Sequence, residues 1–302
     1  MDSTNLLHIG TCSWKYESWR GIVYPEGSPI NYLHEYGKRF STVEVDQWFW
    51  SLFAGNKAVL PKRSVIAEYA SSIPDHFLFG IKVPNSITLT HHYSTDRHQP
   101  LRPNPHFLSI SLMHQFLKAI EPLGRHIGPL IFQFEYLNKT KMSGLTQFLS
   151  LFGEFADHLP GGYTYCLETR NRNYLQPRYF DFLATHDLYH VFLHGYYMPP
   201  LFDVYEQFRD SIDKLTVIRL LGSGRQEIEK QTGEEWSRIV APKDEDISRL
   251  ASLLSELGAR GIETFLYVNN HFEGSAPRTI TRIEQALRTT RRVPGNPQNT
   301  PP

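Results

Sequence analysis

"TVEVDQ", Thr42 to Gln47, is built like a β-strand but carries acids where a strand is usually covered. In an extended chain successive side chains point to opposite faces, so Val43 and Val45 share one face while Glu44 and Asp46 share the other. In a parallel sheet both faces are covered and strands read as nearly continuous apolar runs. Two carboxyl groups on one face are explained if the strand is a stave of a barrel and the acids stand at the mouth, where barrel sites are built.

Working outward, seven more β-rich runs end in turns or polar clusters: "LLHIGTC" from Leu6, "HFLFGIKV" from His76, "GPLIFQF" from Gly128, "TYCLETR" from Thr164, "YHVFLHG" from Tyr189, "LTVIRLLG" from Leu215 and "TFLYVNN" from Thr264. Helical stretches lie between most of them, including "KAVLPKRSVIAEYASSI", "MSGLTQFLSLFGEFADHL", "DEDISRLASLLSELGARG" and "APRTITRIEQALRTTRR". This alternation predicts an α/β fold, a single (β/α)8 TIM-type barrel over residues 1–292 with long irregular loops at its carboxyl-terminal face. The longest of these loops is "PNSITLTHHYSTDRHQPLRPNP", and after the sixth run only a short helix fits "YYMPPLFDVYEQFRDSIDK". Residues 293–302, "VPGNPQNTPP", form a Pro- and Asn-rich tail with too few apolar groups to offset its ordering entropy, and are expected to be disordered.

Hydrophobic residues are 40% of the 302, enough for one large core, and Lys plus Arg balance Asp plus Glu at 31 each. The whole molecule therefore has no field that holds a polyanion or an anionic membrane, and a nucleic-acid partner would need a local patch. No apolar run approaches the roughly 20 residues of a membrane span, and the start lacks a signal-peptide pattern, so a cytoplasmic protein with no membrane contact is expected. Cys12 and Cys166 form no metal spacing or disulfide framework and read as reduced core thiols.

Several runs are apolar early and polar late. The polar ends are Glu44 and Asp46, Lys82, Gln133 and Glu135, Glu168 and Arg170, His194, Arg219, and Asn269 with Asn270 and His271. Polar groups gathered at carboxyl strand ends are what a mouth site requires. The alternative is a buried ion network, with Glu168 and Arg170 as the plainest pair. Aromatic residues crowd the same ends, and Trp14 and Trp48 are candidates to stack on a ligand ring, against the alternative of loop packing. No cofactor is called for. A divalent metal held by Glu44, Glu168, His194 and His271 is an alternative that spacing cannot test, and "HHYSTDRH", with His91, His92, Asp96 and His98, reads as a surface loop. "GSGR" at Gly222–Arg225 lacks the Lys-Ser/Thr of a P-loop and reads as a turn.

The motifs "IGTCSW", "FSTVEVDQWFW", "FLFGIKVPNSITLTHH", "LGRHIGPLIFQF", "CLETRNRNYL" and "YVNNHFEGSAPRTI", in this order from about Ile9 to Ile280, resemble the YecE-like family, the domain of unknown function numbered 72. The resemblance implies a β/α barrel similar to xylose isomerases and endonuclease-IV-like enzymes, with no established activity. It also implies polar motif positions at Glu44, Lys82, Gln133, Glu168, Arg170, Arg219, Asn269 and Asn270. The chain departs from the family pattern at Asp46 (usually Asn), at Glu135 and Tyr136 (Pro-Pro), at Tyr174 (Trp) and at Leu221 (His).

The expected function is that of a hydrolase or lyase on a phosphate- or sugar-containing small molecule or nucleotide. Lys82, Arg170 and Arg219 would hold an anion, Glu44 and Glu168 would serve as base and acid, and Gln133, Asn269, Asn270, Asp46, Trp14 and Trp48 would line the site. Two other classes share these residues: a nucleic-acid-binding module using the cations and stacking rings, and a non-catalytic small-molecule or interaction protein. The sequence does not fix the oligomeric state.

Overall fold

Eight parallel strands close into a barrel in chain order: β1 Leu7–Thr11, β2 Thr42–Val45, β3 Leu78–Lys82, β4 Ile127–Gln133, β5 Tyr165–Glu168, β6 Leu188–Gly195, β7 Leu215–Gly222 and β8 Glu263–Val268. The ring closes because β1 pairs on both sides, Gly10 opposite Thr42 of β2 and Leu7 opposite Thr264 of β8. A helix follows each strand: α1 Tyr32–Gly37, α2 Arg63–Ser71, α3 Ile110–Ile120, α4 Leu145–Ala156, α5 Pro177–Thr185, α6 Leu201–Phe208, α7 Asp244–Ala259 and α8 Ala276–Arg292. This computed structural model describes residues 6–93, 100–195 and 197–292. The readings given for the tail 293–302, and for Asp96 and His98, fall outside these residues. Among the described residues no helix is long and apolar enough to cross a membrane.

Local chemistry sets the helix starts. Ser109 caps α3 by accepting from the Leu112 amide at 3.2 Å. Pro177 opens α5 at a position where its missing N–H costs nothing. Asp244, Glu245 and Asp246 place negative charge at the positive end of α7. The helix expected over "KAVLPKRSVIAEYASSI" begins only at Arg63. The residue before Pro61 is pushed out of the helical region, and Lys57–Ala58 pairs instead with Leu52–Phe53 as a short hairpin. A helix at Arg225–Thr232 follows the Gly222 turn; of its residues only Ile228 and Thr232 are buried, so no apolar stripe announced it.

The two-residue period assigns the strand faces. Val43, Val45, Phe79, Ile81 and Phe132 are fully buried in the core between the sheet and its helices. Ile131, Cys166, Val191, Val217 and Phe265 form a second cluster within the barrel, joined by Cys12 and Leu221. Both thiols are thus free and buried. The Tyr267 phenol crosses this interior to the Thr42 hydroxyl at 3.2 Å. It does so over Gly80, where a Cβ would stand 2.1 Å from the Tyr267 oxygen. A side chain at position 80 and the crossing phenol exclude each other.

Candidate functional site

Glu44, Lys82, Gln133, Glu168 and Arg219 come from five different strands and converge at the carboxyl-terminal end of the barrel interior, with Arg170 just beyond β5. Arg219 is the centre. Its Nε donates to Glu44 Oε2 at 2.5 Å and its Nη2 to Glu44 Oε1 at 2.8 Å, a two-pronged pair; its Nη1 donates to Gln133 Oε1 at 3.1 Å and also to Glu168 Oε2. Lys82 Nζ lies 3.1 Å from Glu44 Oε1, and Arg170 Nε donates to Glu168 Oε1 at 3.3 Å. Glu44 and Glu168 have no exposed surface. The face of "TVEVDQ" that carries acids is the barrel interior, and the acids are tolerated there because a guanidinium from β7 meets both carboxylates.

Burial pushes the Glu168 carboxyl up, but the charges of Arg219, Arg170 and Lys82 outweigh it and hold the group below the ordinary carboxylate range. Burial likewise works against the charge of Arg219, and Glu168 and Glu44 reverse the effect, so it stays protonated. Glu44 and Glu168 both accept from Arg219. Asp46 differs. It lies one residue past β2 and is partly exposed, and burial raises its carboxyl, with Lys82 pulling the other way and Glu44 adding to the rise. Such a carboxyl takes up a proton more readily than a salt-bridged one.

The two candidate tryptophans are buried in ring packing. Trp48 is 9% exposed and stacks on Tyr69 at 5.7 Å, while Trp14 meets the same ring edge-on at 5.2 Å. They pack the loops against α2. The exposed ring of that loop is Trp50, 64% exposed and edge-on to Tyr93. Asn269 and Asn270 are helix-capping groups: Asn269 Oδ1 accepts from the His271 amide at 3.0 Å, and Asn270 Oδ1 from the Ala276 amide at 2.9 Å, at the start of α8. His194 and His271 pair with Asp246 and Glu229, not with Glu44 and Glu168. Among the described residues no three His, Cys, Asp or Glu side chains group as metal ligands. His91 and His92 contact Thr90 and Asn56.

A cavity of about 570 Å³ opens beside Arg170, walled by the segments after β4 and β5. Glu135, Tyr136 and Tyr174, three of the departures from the family pattern, all line it. A larger one of about 690 Å³ lies at the opposite end, against Leu7, Phe40 and His76 where strands begin. Barrel sites form at the other face, so its size carries no functional weight.

A search among curated proteins gives no match. Among solved structures, a DUF72 family protein from Enterococcus faecalis superposes with a TM-score of 0.66 at 16% identity, covering 98% of this chain and 100% of that one. A DUF72 family protein from Thermotoga maritima gives 0.65 at 18%, covering 94% and 99%. At these identities the likeness concerns the fold. The sequence profile described as "Protein of unknown function DUF72" matches residues 8–302, so the fold, the order of motifs and the profile agree, and the chain belongs to that family.

Proposed function

We propose that the barrel mouth binds a small phosphate-bearing molecule and acts on it as a hydrolase or lyase. The observation that carries this reading is the arrangement of cations. Arg219 is spent on two buried carboxylates, whereas Lys82 and Arg170 stand at the outer edge of the same network, their side chains 10% and 24% exposed. Lys82 and Arg170 thus carry the cationic groups that reach the solvent side of the mouth, placed to meet an anion. In this reading Glu44 and Glu168 position the cations, and Asp46 is the group that moves a proton.

Calorimetric titration of the parent and of Lys82→Met with ribose 5-phosphate and with ribose tests the binding. The phosphate ester should bind, ribose should not, and the substitution should weaken the ester at least about tenfold, since it removes a charge-assisted contact. Equal binding of ribose and its phosphate would refute the anion reading. Asp46→Asn should then keep binding while removing turnover.

A second reading, a nucleic-acid-binding module, is favoured by the exposed rings of Trp50, Tyr93 and Tyr136 around the mouth. Binding of a single-stranded oligonucleotide that weakens steeply with salt would select it over the first.

A further inference from the structure

The cavity beside Arg170 has the features of a built pocket. Its volume, about 570 Å³, lies within the range of small-molecule sites. Its floor includes the buried apolar side chains Leu137 and Met142. Tyr136, 61% exposed, supplies a ring face at the rim. Arg170 belongs to both the cavity wall and the barrel mouth, through its bond to Glu168. Lys139 and Arg172 add two exposed cations to the wall.

Two wall residues carry buried polar atoms with no partner among the described residues. These are the Tyr174 hydroxyl, on a residue 1% exposed, and Glu135 Oε1, whose other oxygen pairs with Lys141 at 2.7 Å. A buried donor or acceptor without a partner is destabilising, so its natural explanation is a group that arrives. A phenol can donate and a carboxylate oxygen can accept. Together with a ring face, they suit a flat heterocycle bearing both kinds of group on its edge. α4 also begins at this cavity, on Gly144, with no side-chain cap.

We infer that this cavity holds the base of a mononucleotide-sized substrate whose phosphate sits at Lys82 and Arg170. The inference rests on the phosphate reading of the mouth and adds the class of molecule. Arg170, shared by both compartments, marks the join between phosphate and body. Tyr136 stacks on the ring, and Tyr174 and Glu135 read its edge.

The test is calorimetric titration with inorganic phosphate, ribose 5-phosphate and the 5′-monophosphates of adenosine, guanosine, cytidine and uridine. At least one nucleotide should bind about tenfold or more tightly than ribose 5-phosphate. Tyr174→Phe, which removes one oxygen from a buried ring, should cut that advantage about three- to tenfold, the worth of one hydrogen bond. It should leave ribose 5-phosphate affinity unchanged. Tyr136→Ala, at an exposed position, should also reduce the advantage. Nucleotides binding no better than ribose 5-phosphate would overturn the base pocket while leaving the mouth reading standing. A nucleotide advantage untouched by both substitutions would overturn the placement in this cavity. Failure of all the phosphates to bind would overturn the mouth reading, and this inference with it.

Discussion

Glu168→Gln isolates the central ion network, because it exchanges one carboxylate oxygen for an NH2 group with little change in volume. Glu168 accepts from Arg219 through one oxygen and from Arg170 through the other, so the new NH2 must point at a cation in either orientation. Arg219 keeps its two-pronged pair with Glu44 and its bond to Gln133. Removing one partner of a buried ion pair typically costs about 3–5 kcal/mol. The remaining partners put the expected value near the lower end, about 3 kcal/mol. In urea unfolding followed by tryptophan fluorescence, with a slope of about 3 kcal/mol per molar, the midpoint should fall by about 1 M. The sign with pH is fixed. The folded-state carboxyl is held below its ordinary value of 4.5, so its contribution is present above that pH and is lost as the pH falls through the folded value. The gap between parent and variant should therefore be widest at neutral pH and close in acid. An unchanged midpoint at pH 7 would refute the network as a structural tie.

Other consequences are open to measurement. His190 is buried against Tyr179, Phe180 and Phe192, and burial lowers it from 6.5 to about 3. Its neutral form is the one folded, so stability falls as the pH drops below the unfolded value, by about 2 kcal/mol at pH 5, and urea midpoints of His190→Phe at pH 7.5 and 5 should show that part of the slope gone. Trp14, Trp19, Trp48 and Trp236 are buried and Trp50 is 64% exposed; Trp50→Phe should remove the iodide-quenchable emission, and Trp48→Phe should leave it. Gly80→Ala should lower stability by about 3 kcal/mol through overpacking against Tyr267, whereas Gly258→Ala in α7, where a Cβ meets nothing within 4 Å, should be neutral or stabilising in thermal melts.

The eight strands were legible because a parallel barrel forces each into a short, β-rich, mostly apolar run, and polar residues late in those runs marked the mouth. Glu44, Lys82, Gln133, Glu168 and Arg219 follow from that rule alone. Their pairing does not. Glu168 and Arg170, two apart on one chain, read as the plainest pair, yet the partner meeting Glu168 in full burial is Arg219, 51 residues away. Distances across a barrel are not written along the chain. The burial of Trp48 has a different reason: after β2 the chain turns, with the Phe49 amide donating to the Asp46 carbonyl at 3.0 Å. The two-residue alternation no longer holds there, so Trp48 goes inward and Trp50 outward. Asn269 and Asn270 did carry a readable signal, since asparagine ahead of a helix is a cap before it is a ligand.

Arg219 also matters for what lies around the barrel. β7 pairs along its edges with β6 and β8, while its guanidinium grips residues of β2, β4 and β5. It works as the hub of a wheel, with spokes to staves that no backbone ladder joins to its own. A rim trued in this way keeps its shape whatever hangs from it. The loops beyond those strands can change length and composition while the network beneath them still holds Lys82 through Glu44 and Arg170 through Glu168.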